Sequence, residues 1–241
     1  MKRPQFEPLK PKVALGIAAH ADDLDFGAGG TLAAYARDGC EVHYLIITDG
    51  CKGSADPNIS PASLIKTRQN EQRAAADIIG VKSVEFLDYP DGELEVTMAL
   101  KRQLAKVIRI IKPDVVITID PSMIYAASYG SINHPDHRAA GQATLDAVFP
   151  LARDHLNLPE LLAAGYPPHK TPTVLLINLE HSNFCVDITD TFDTKMAAIL
   201  AHASQFANQA ETKERAELIA TSAGQQYGHK LAESFMRIDI R

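Results

Sequence analysis

Short, continuous apolar runs alternate along this chain with longer segments in which apolar residues recur every three to four positions. The runs read as strands that are buried on both faces of a parallel sheet, because they show no apolar and polar alternation. These predicted strands lie at 13–19, 42–48, 84–87 and 114–119. The segments between them have helical periodicity, and the predicted helices lie at 27–37, 63–79 and 95–111. Gly80, directly after the second helix, suits a helix C-cap.

The pattern is less regular beyond residue 120. A helix is predicted at 135–148, and residues 150–172 form an irregular insertion punctuated by prolines. The later predicted strands lie at 174–178 and 184–188, and the later helices at 191–205 and 211–222. The segment 233–240 is predicted to be an edge strand.

Successive strand and helix units predict an α/β fold, with a doubly wound, mostly parallel sheet and helices on both faces. No repeat or break in composition divides the chain, so we predict one domain over residues 1–241, with residues 1–11 as an N-terminal extension. In such a sheet, ligands bind beyond the carboxyl ends of the strands. The residues that follow each strand are therefore the candidates for chemistry.

Composition and charge narrow the class of ligand. The chain has 24 Lys and Arg against 30 Asp and Glu, a net charge of −6 and no basic runs. This argues against a nucleic-acid binder or a binder of anionic membranes, and favours a small, largely neutral substrate. A chain of 241 residues buries roughly three-quarters of its unfolded surface, so we expect any bound metal to serve chemistry rather than folding.

We expect no targeting or membrane-spanning segment in this chain. Residues 1–12 lack the apolar run of a secretory signal, and no apolar run is long enough to cross a bilayer. The cysteines, Cys40, Cys51 and Cys185, are odd in number and scattered, which is typical of a reducing compartment. We therefore expect a cytoplasmic protein.

The loop after the first strand carries His20, Asp22 and Asp23, followed by a glycine-rich stretch at 27–30. One interpretation is a nucleotide-binding turn, with Asp49 after the second strand accepting from a ribose hydroxyl. Its difficulty is that the carboxylates stand where a pyrophosphate would approach, which is costly unless a cation intervenes. The interpretation that we favour is a metal site, because an imidazole and a carboxylate three residues apart suit zinc or a similar divalent ion.

The loop after the fourth strand supplies further ligands. His134 and His137 flank a helix start, where Pro135 suits the first helical position and Asp136 the first turn. Because the first and fourth strands can be neighbours in a doubly wound sheet, we expect these histidines to share a site with His20. Three protein ligands with one position left for water are the arrangement of catalytic zinc. Two histidines and one carboxylate also suit non-haem iron, so the ligands leave the metal open.

Several motifs occur together along the chain. They are the His20 to Asp23 loop, Thr48-Asp49-Gly50, Arg68-x-x-Glu71, Tyr89-Pro90-Asp91-Gly92 and His134-Pro135-Asp136-His137-Arg138. In this combination the chain resembles the LmbE-like, or PIG-L, family of metal-dependent N-acetylglucosaminyl deacetylases. The similarity runs from about residue 13 to 147 and resumes at 187–189, with Lys195 and His202-x-Ser204-Gln205.

The resemblance implies a Rossmann-like α/β domain that hydrolyses the acetamide of an amino sugar and releases acetate and an amine. It assigns His20, Asp23 and His137 to the metal, which would be Zn²⁺ with Fe²⁺ or another divalent ion as alternatives. It assigns Asp22 as the general base. This suits their order in the chain, because one carboxylate can bind the metal while its neighbour takes a proton from water.

The resemblance also assigns residues around the substrate. His134 would steady the oxyanion and protonate the leaving amine, with Asp136 holding its ring. Arg68 would grip sugar hydroxyls, and Asp91 falls in the segment that lines the sugar pocket. Outside this resemblance, Arg68 would read as one half of an exposed helix ion pair.

Some positions depart from the family pattern, among them Ala21, where the family usually has proline. Ile132 stands where some members have a tyrosine that helps bind the oxyanion. Tyr125 and Tyr129 could replace it, although packing within the loop is an equal reading. His202 and Gln205 share a helix face, and either packing or substrate contact fits them.

The sequence thus predicts a zinc-dependent hydrolase that removes the N-acetyl group from a GlcNAc-containing small molecule or oligosaccharide. We expect a small amino-sugar substrate, no nucleic acid, no membrane and, from the resemblance, a homo-oligomer. Two alternatives remain open: a metal-dependent hydrolase of another amide or ester, and a Rossmann-type nucleotide or sugar-binding module without turnover. The loops that would select the rest of the substrate contain no pattern that identifies it.

Overall fold

The structure is a computed structural model that describes residues 6–54, 56–206 and 208–241, without the side chain of Tyr129. The strands are β1 (Val13–Ala18), β2 (Glu41–Thr48), β3 (Ser83–Tyr89), β4 (Val115–Ile119), β5 (Tyr125–Ala126), β6 (Ser131–Ile132), β7 (Thr173–Ile177), β8 (Phe184–Asp187) and β9 (Ala232–Asp239). The α-helices are α1 (Asp23–Arg37), α2 (Pro61–Ile79), α3 (Met98–Ile111), α4 (Pro135–Asp146), α5 (Pro159–Ala163), α6 (Phe192–Ala201) and α7 (Gln209–Tyr227).

A mixed sheet runs in the order β3-β2-β1-β4-β7-β9-β8. Strands β3, β2, β1, β4 and β7 run parallel to one another, whereas β9 runs antiparallel to both β7 and β8. The expected adjacency of the first and fourth strands is confirmed, since Ala14 of β1 pairs with Val115 of β4. A separate short hairpin, β5-β6, stands in the connection between β4 and α4.

The prediction of an edge strand at 233–240 is wrong. Strand β9 lies inside the sheet between β7 and β8, and β8 forms the edge. Glu233 gave the segment its polar, edge-like pattern, but its carboxylate is buried. It accepts the N–H groups of Gly30 and Thr31 and pairs with the ammonium of Lys195 at 2.5 Å. A paired and hydrogen-bonded carboxylate can be buried, and composition does not show such a pairing.

Helices cover both faces of the sheet, as the fold class requires. Successive residues of β1 point to opposite faces, so Ala14 packs with α1, α2 and α6 while Leu15 packs with α3 and α4. The two apolar layers enclose the sheet in one α/β domain. No helix in the described ranges is long and apolar enough to span a membrane.

Local capping fixes where the helices begin and end. The Ser60 hydroxyl accepts the N–H of Ser63 at the start of α2, and Gly80 ends that helix with a φ of 88°, as the sequence predicted. Helix α1 begins at Asp23, four residues before the predicted start, because Asp22 takes a left-handed φ of 90° and ends the loop abruptly. The early start places Asp23 in the first turn of α1.

Candidate metal and catalytic site

The adjacent carboxyl ends of β1 and β4 bring three predicted ligands together. His20 follows β1, Asp23 opens α1, and His137 lies in the first turn of α4. The N–H of His20 donates to Asp23 Oδ2 at 2.8 Å, which ties the two ends of the loop to each other. The sequence predicted this meeting, although the residues come from segments more than 110 positions apart.

The spacing of these side chains fits one metal ion. His137 Nε2 lies 3.0 Å from Asp23 Oδ1 and 3.2 Å from His20 Nδ1, and His20 Nδ1 lies 3.7 Å from Asp23 Oδ2. A tetrahedral ion with bonds of about 2.1 Å holds its ligands about 3.4 Å apart. The donor set of two imidazoles and one carboxylate therefore has the geometry, as well as the chemistry, for a divalent ion such as zinc.

A hydrogen bond to Asn133 selects the nitrogen that His137 offers to the metal. The amide of Asn133 donates from Nδ2 to the carbonyl of Met123, so its Oδ1 must accept from His137 Nδ1–H at 3.0 Å. The proton on Nδ1 leaves a lone pair on Nε2, which faces Asp23 and His20. Asn133 is buried, so this hydrogen bond fixes the orientation of the His137 ring.

Two carboxylates determine which ring nitrogen of His20 carries the proton. Its Nε2 lies 3.1 Å from Asp91 Oδ1 and 3.3 Å from Asp136 Oδ2, so the proton on Nε2 is shared with acceptors and Nδ1 faces the metal position. Asp136 also accepts the N–H groups of Gly92 and Leu94. Such partners on the far side of a ligating imidazole fix its orientation and increase its basicity.

The charges at this centre shift the pKa values in the direction that a cation requires. Burial alone would lower the pKa of His20, but the carboxylates of Asp136, Asp91 and Asp23 outweigh it and raise that pKa to about 10. Burial opposes ionisation of Asp23, yet the imidazoles of His137 and His20 lower its pKa to about 2. The hydrogen bond from His20 likewise lowers the pKa of Asp91. The protein thus concentrates negative charge around one position that a positive charge stabilises.

Asp22 shares the loop but not the ligand position. It lines the same cavity as Asp23, and its left-handed backbone allows consecutive carboxylates to reach that cavity. Burial, with the neighbouring charge of Asp23, raises the pKa of Asp22 well above its ordinary value. A carboxylate with increased proton affinity beside the metal position is suited to accept a proton from water.

His134 also lines the cavity and is more exposed than His20 and His137. The backbone N–H of Asp136 donates to His134 Nδ1 at 3.2 Å, so Nδ1 is an acceptor and Nε2 carries the ring proton. Burial, followed by the nearby His20 cation, lowers the pKa of His134 and favours the neutral ring. The carboxylate of Asp136, expected to hold this ring, lies 4.0 Å from Nδ1 and bonds to His20 instead.

The two predicted substrate-binding residues are buried. Arg68 donates to the carbonyls of Gly50 and Gly53 at 2.6 and 2.7 Å and is only 4% exposed. Asp91 is also buried and divides its oxygens between His20 and the N–H of Lys52. In this structure both side chains hold the loops around the metal position, and neither is among the residues that line the cavity.

A cavity of about 380 Å³ opens from the metal position, a volume within the range of small-ligand pockets. Asp22, Asp23, His134 and His137 line one end. The remaining walls are mostly apolar, and Phe26 and Phe206 stack in them with ring centroids 6.2 Å apart. Ile132 lines this cavity and is exposed, and Tyr125, with which it pairs in the β5-β6 hairpin, is exposed as well. The side chain of Tyr129 lies outside the described residues.

The glycine-rich start of α1 serves helix packing. A Cβ on Gly30 would lie 2.8 Å from Cβ of Ile188, and one on Gly27 would lie 2.8 Å from the side chain of Ile177. These glycines let α1 approach its neighbours, so their pattern does not require a bound phosphate. Asp49, the proposed ribose acceptor, instead accepts the N–H groups of Cys51 and Asp91.

Three buried residues that support the proposed metal position were not predicted from the sequence. Asn133 orients His137, and Gln72 and Asp25 hold the loop of Asp22 from behind. Only Asn133 gave a usable sign, because it directly precedes the histidine motif. His202 and Gln205, whose roles were open, also face this loop: His202 bonds Asp25 and Gln205 donates to the carbonyl of Ala21.

Comparison with known proteins places this geometry among related chains. The PIG-L family model, described as GlcNAc-PI de-N-acetylase, matches residues 15–148. Diacetylchitobiose deacetylase of Thermococcus kodakarensis is 34% identical over 92% of this chain and 81% of its own length. A probable N-acetyl-alpha-D-glucosaminyl L-malate deacetylase 2 of Bacillus anthracis is 27% identical over 80% of this chain and 81% of its own. The structure of N,N'-diacetylchitobiose deacetylase from Pyrococcus horikoshii, in complex with its inhibitor MPG, has a TM-score of 0.88 and 31% identity over 95% of this chain and 84% of that one.

Proposed function

This chain belongs to the PIG-L family of carbohydrate N-deacetylases, and from that membership we propose that it is a zinc-dependent enzyme that removes the N-acetyl group from a GlcNAc-containing small molecule or oligosaccharide. The observation that carries the proposal is the set of His20, Asp23 and His137 atoms, 3.0 to 3.7 Å apart, at the end of a cavity that Asp22 and His134 also line. Amide hydrolysis needs this combination of a cation, a base and a hydrogen-bond donor.

His20, Asp23 and His137 would hold the metal ion. When bound, such an ion supplies Lewis acidity, which polarises the amide carbonyl and lowers the pKa of a water molecule. Asp22 accepts the proton that water loses as its oxygen attacks the carbonyl carbon. The increased proton affinity of Asp22 suits this step. The C–N bond then breaks, leaving acetate and the amine of the sugar.

His134 lines the same cavity, and its Nε2–H is available to donate to the substrate. That hydrogen bond stabilises the negative charge that develops on the carbonyl oxygen. Because Nδ1 already accepts the N–H of Asp136, the ring keeps a fixed orientation throughout the reaction. The neutral ring of His134 keeps its Nε2 proton, so the leaving nitrogen takes its proton from Asp22, which received it from water.

The relatives support an amino-sugar substrate but differ in what the sugar carries. The archaeal relatives are named for a disaccharide and the Bacillus relative for a malate conjugate. The cavity has stacked aromatic walls suited to the apolar face of a sugar ring. We therefore propose N-acetylglucosamine as the shared element of the substrate. A panel of conjugates identifies the group that is attached to it.

Two further expectations accompany this proposal. The thiols of Cys40, Cys51 and Cys185 are free, which supports placement in the reducing cytoplasm. Membership of the family supports a homo-oligomer, which sedimentation of the purified protein measures directly.

The test combines a substrate panel with one variant. Zinc-loaded protein is offered diacetylchitobiose, GlcNAc-malate and other GlcNAc conjugates, and release of primary amine is measured. Asp22→Asn should retain the metal and lower deacetylation by about 100-fold or more, because the carboxamide cannot act as a base. Asp38→Asn, at the other end of α1, is the control and should behave as wild type. Zinc-loaded wild type that releases no amine from the panel, or Asp22→Asn at the wild-type rate, would contradict the proposal.

A further inference from the structure

The backbone of Asp22 is held in a conformation that its side chain does not favour. Its φ of 90° and ψ of −29° lie on the left-handed side, which residues with a Cβ rarely adopt. In this conformation Asp22 and its neighbour Asp23 both line the cavity. Some contact from outside the loop must therefore stabilise it.

Gln72 of α2 makes that contact. The N–H of Asp22 donates to Gln72 Oε1 at 3.0 Å, and Gln72 Nε2 donates to Asp25 Oδ2 at 2.8 Å. The orientation of the amide is unambiguous, because a backbone N–H can only donate and a carboxylate here accepts. Gln72 is fully buried, so no water competes for either bond.

Asp25 anchors this amide in turn. Its carboxylate also accepts from the hydroxyl of Tyr44 at 3.2 Å and from Nε2–H of His202 at 2.8 Å. Asp25 and His202 have no exposed surface. Side chains from β2, α2 and the end of α6 thus fix Asp25, and through it fix the position of Gln72.

We propose that Gln72 is a positioning residue for the general base, acting through the backbone of Asp22 and anchored by Asp25. The inference rests on the proposed function, because it concerns the rate at which Asp22 works. Gln72 does not line the cavity and contacts none of the three metal-ligating side chains by hydrogen bond. Its loss should therefore lower turnover without removing the metal or weakening substrate binding.

The first experiment compares two substitutions on one helix. In Gln72→Leu both hydrogen bonds are lost, and kcat should fall by about 10- to 100-fold, since a shift of about 1 Å in a reacting group costs on that order. KM should change by less than about threefold, and zinc should remain at one ion per chain, because the ligands are untouched. Gln69→Leu is the control, since the amide of Gln69 donates to the exposed carboxylate of Asp88, and the hydrogen bonds of the described residues do not link Gln69 to the loop of Asp22.

A second variant distinguishes the loss of the hydrogen bond to Asp22 from misfolding caused by a buried leucine. Gln72→Asn keeps a polar amide near Asp25 but is one methylene too short to reach Asp22 as well. It should show the same fall in kcat as Gln72→Leu. If both variants retain wild-type kcat, the proposal is overturned.

Two further measurements distinguish a loss of the Asp22 position from a general loss of structure. In metal-free protein, hydrogen exchange at the amide of Asp22 should accelerate at least about tenfold in Gln72→Leu but not in Gln69→Leu. This measurement needs no substrate, so it tests the inference even if the proposed deacetylation fails. In the background of Asp22→Asn, Gln72→Leu should cost less than about twofold in kcat, because the group that it positions is already disabled. Unchanged exchange at Asp22, or a full further loss in the double variant, would show that Gln72 does not act through Asp22.

Discussion

At the scale of single residues, the centre depends on which nitrogen of each imidazole is protonated. Asn133 accepts from Nδ1–H of His137, and Asp91 and Asp136 accept from Nε2–H of His20. The two histidines therefore offer different nitrogens to the same position. Free imidazoles would sample both tautomers and several rotamers, so these contacts reduce the entropy lost when a metal binds.

The contact of Asn133 with His137 leads to a prediction about metal affinity. Asn133→Leu removes the acceptor of His137 Nδ1–H but none of the ligands, so zinc should bind about 10- to 100-fold more weakly. Competition with a fluorescent chelator measures this change. Asn58→Leu, on an exposed loop, is the control and should have wild-type affinity. Equal affinities in the two variants would mean that Asn133 does not orient the ligand.

We also expect a metal ion to release a proton from His20 when it binds. Burial would lower the pKa of His20, but its bonds to Asp136 and Asp91 raise that pKa from 6.5 to about 10 in the metal-free protein. The ring is therefore cationic at pH 8, and a metal ion must displace one proton. Calorimetry in buffers with different ionisation enthalpies should find about one proton released per ion at pH 8, and affinity should rise about tenfold per unit between pH 7 and 9. A metal affinity that does not change between pH 7 and 9 would show that no proton is displaced from His20.

At the scale of elements, α1 combines a functional start with tight packing. Its first turn presents Asp23 to the metal position, while Gly30 faces Ile188 on the segment that follows β8. The carboxylate of Glu233 accepts the N–H groups of Gly30 and Thr31, which fixes the helix against β9. The position of the catalytic loop thus depends on how closely this helix packs.

Two neighbouring glycines of α1 test this dependence. In Gly30→Ala the new Cβ would lie 2.8 Å from Cβ of Ile188, which cannot rotate away, so we expect a loss of about 1–3 kcal/mol in the free energy of unfolding. In Gly29→Ala the nearest atom lies 3.5 Å away, and the higher helix propensity of alanine should stabilise the protein by up to about 1 kcal/mol. Urea unfolding followed by circular dichroism measures both. Equal effects in the two variants would contradict the packing argument.

The sequence predicted the strands and helices better than the buried polar contacts that connect them. Continuous apolar runs identified β1 to β4, and their order along the chain predicted that His20 and His137 would meet. The edge assignment of β9 failed because the ion pair of Glu233 with Lys195 cannot be recognised from the pattern of one strand. Gln72 was missed for the same reason, since its partners Asp22 and Asp25 lie about 50 positions away.

At the scale of the whole molecule, the proposed metal site is an addition to a complete fold. The apolar layers on the two faces of the sheet enclose buried residues from nearly every element. The metal position lies at the edge of this core, where β1 and β4 end. The fold therefore does not need the ion as a structural link.

Metal removal should accordingly leave the chain folded. Protein treated with a chelator should keep its far-ultraviolet circular dichroism spectrum and unfold in one cooperative transition. Added zinc should raise the melting temperature as its concentration exceeds the dissociation constant, because the ion binds the folded state. In His20→Ala zinc should have little effect on that temperature. Loss of helical signal in the chelator would show that the ion is structural.

The place of β9 in the sheet has a consequence for biosynthesis. In the described sheet, β8 pairs only with β9, which follows every other strand along the chain. A ribosome that has released residues up to about 230 therefore holds a nascent chain in which β8 has no neighbour and α1 lacks the acceptor that Glu233 provides. The helix that follows the loop of His20, Asp22 and Asp23 is synthesised about 200 residues before Glu233, so it gains this buried anchor only when translation reaches β9.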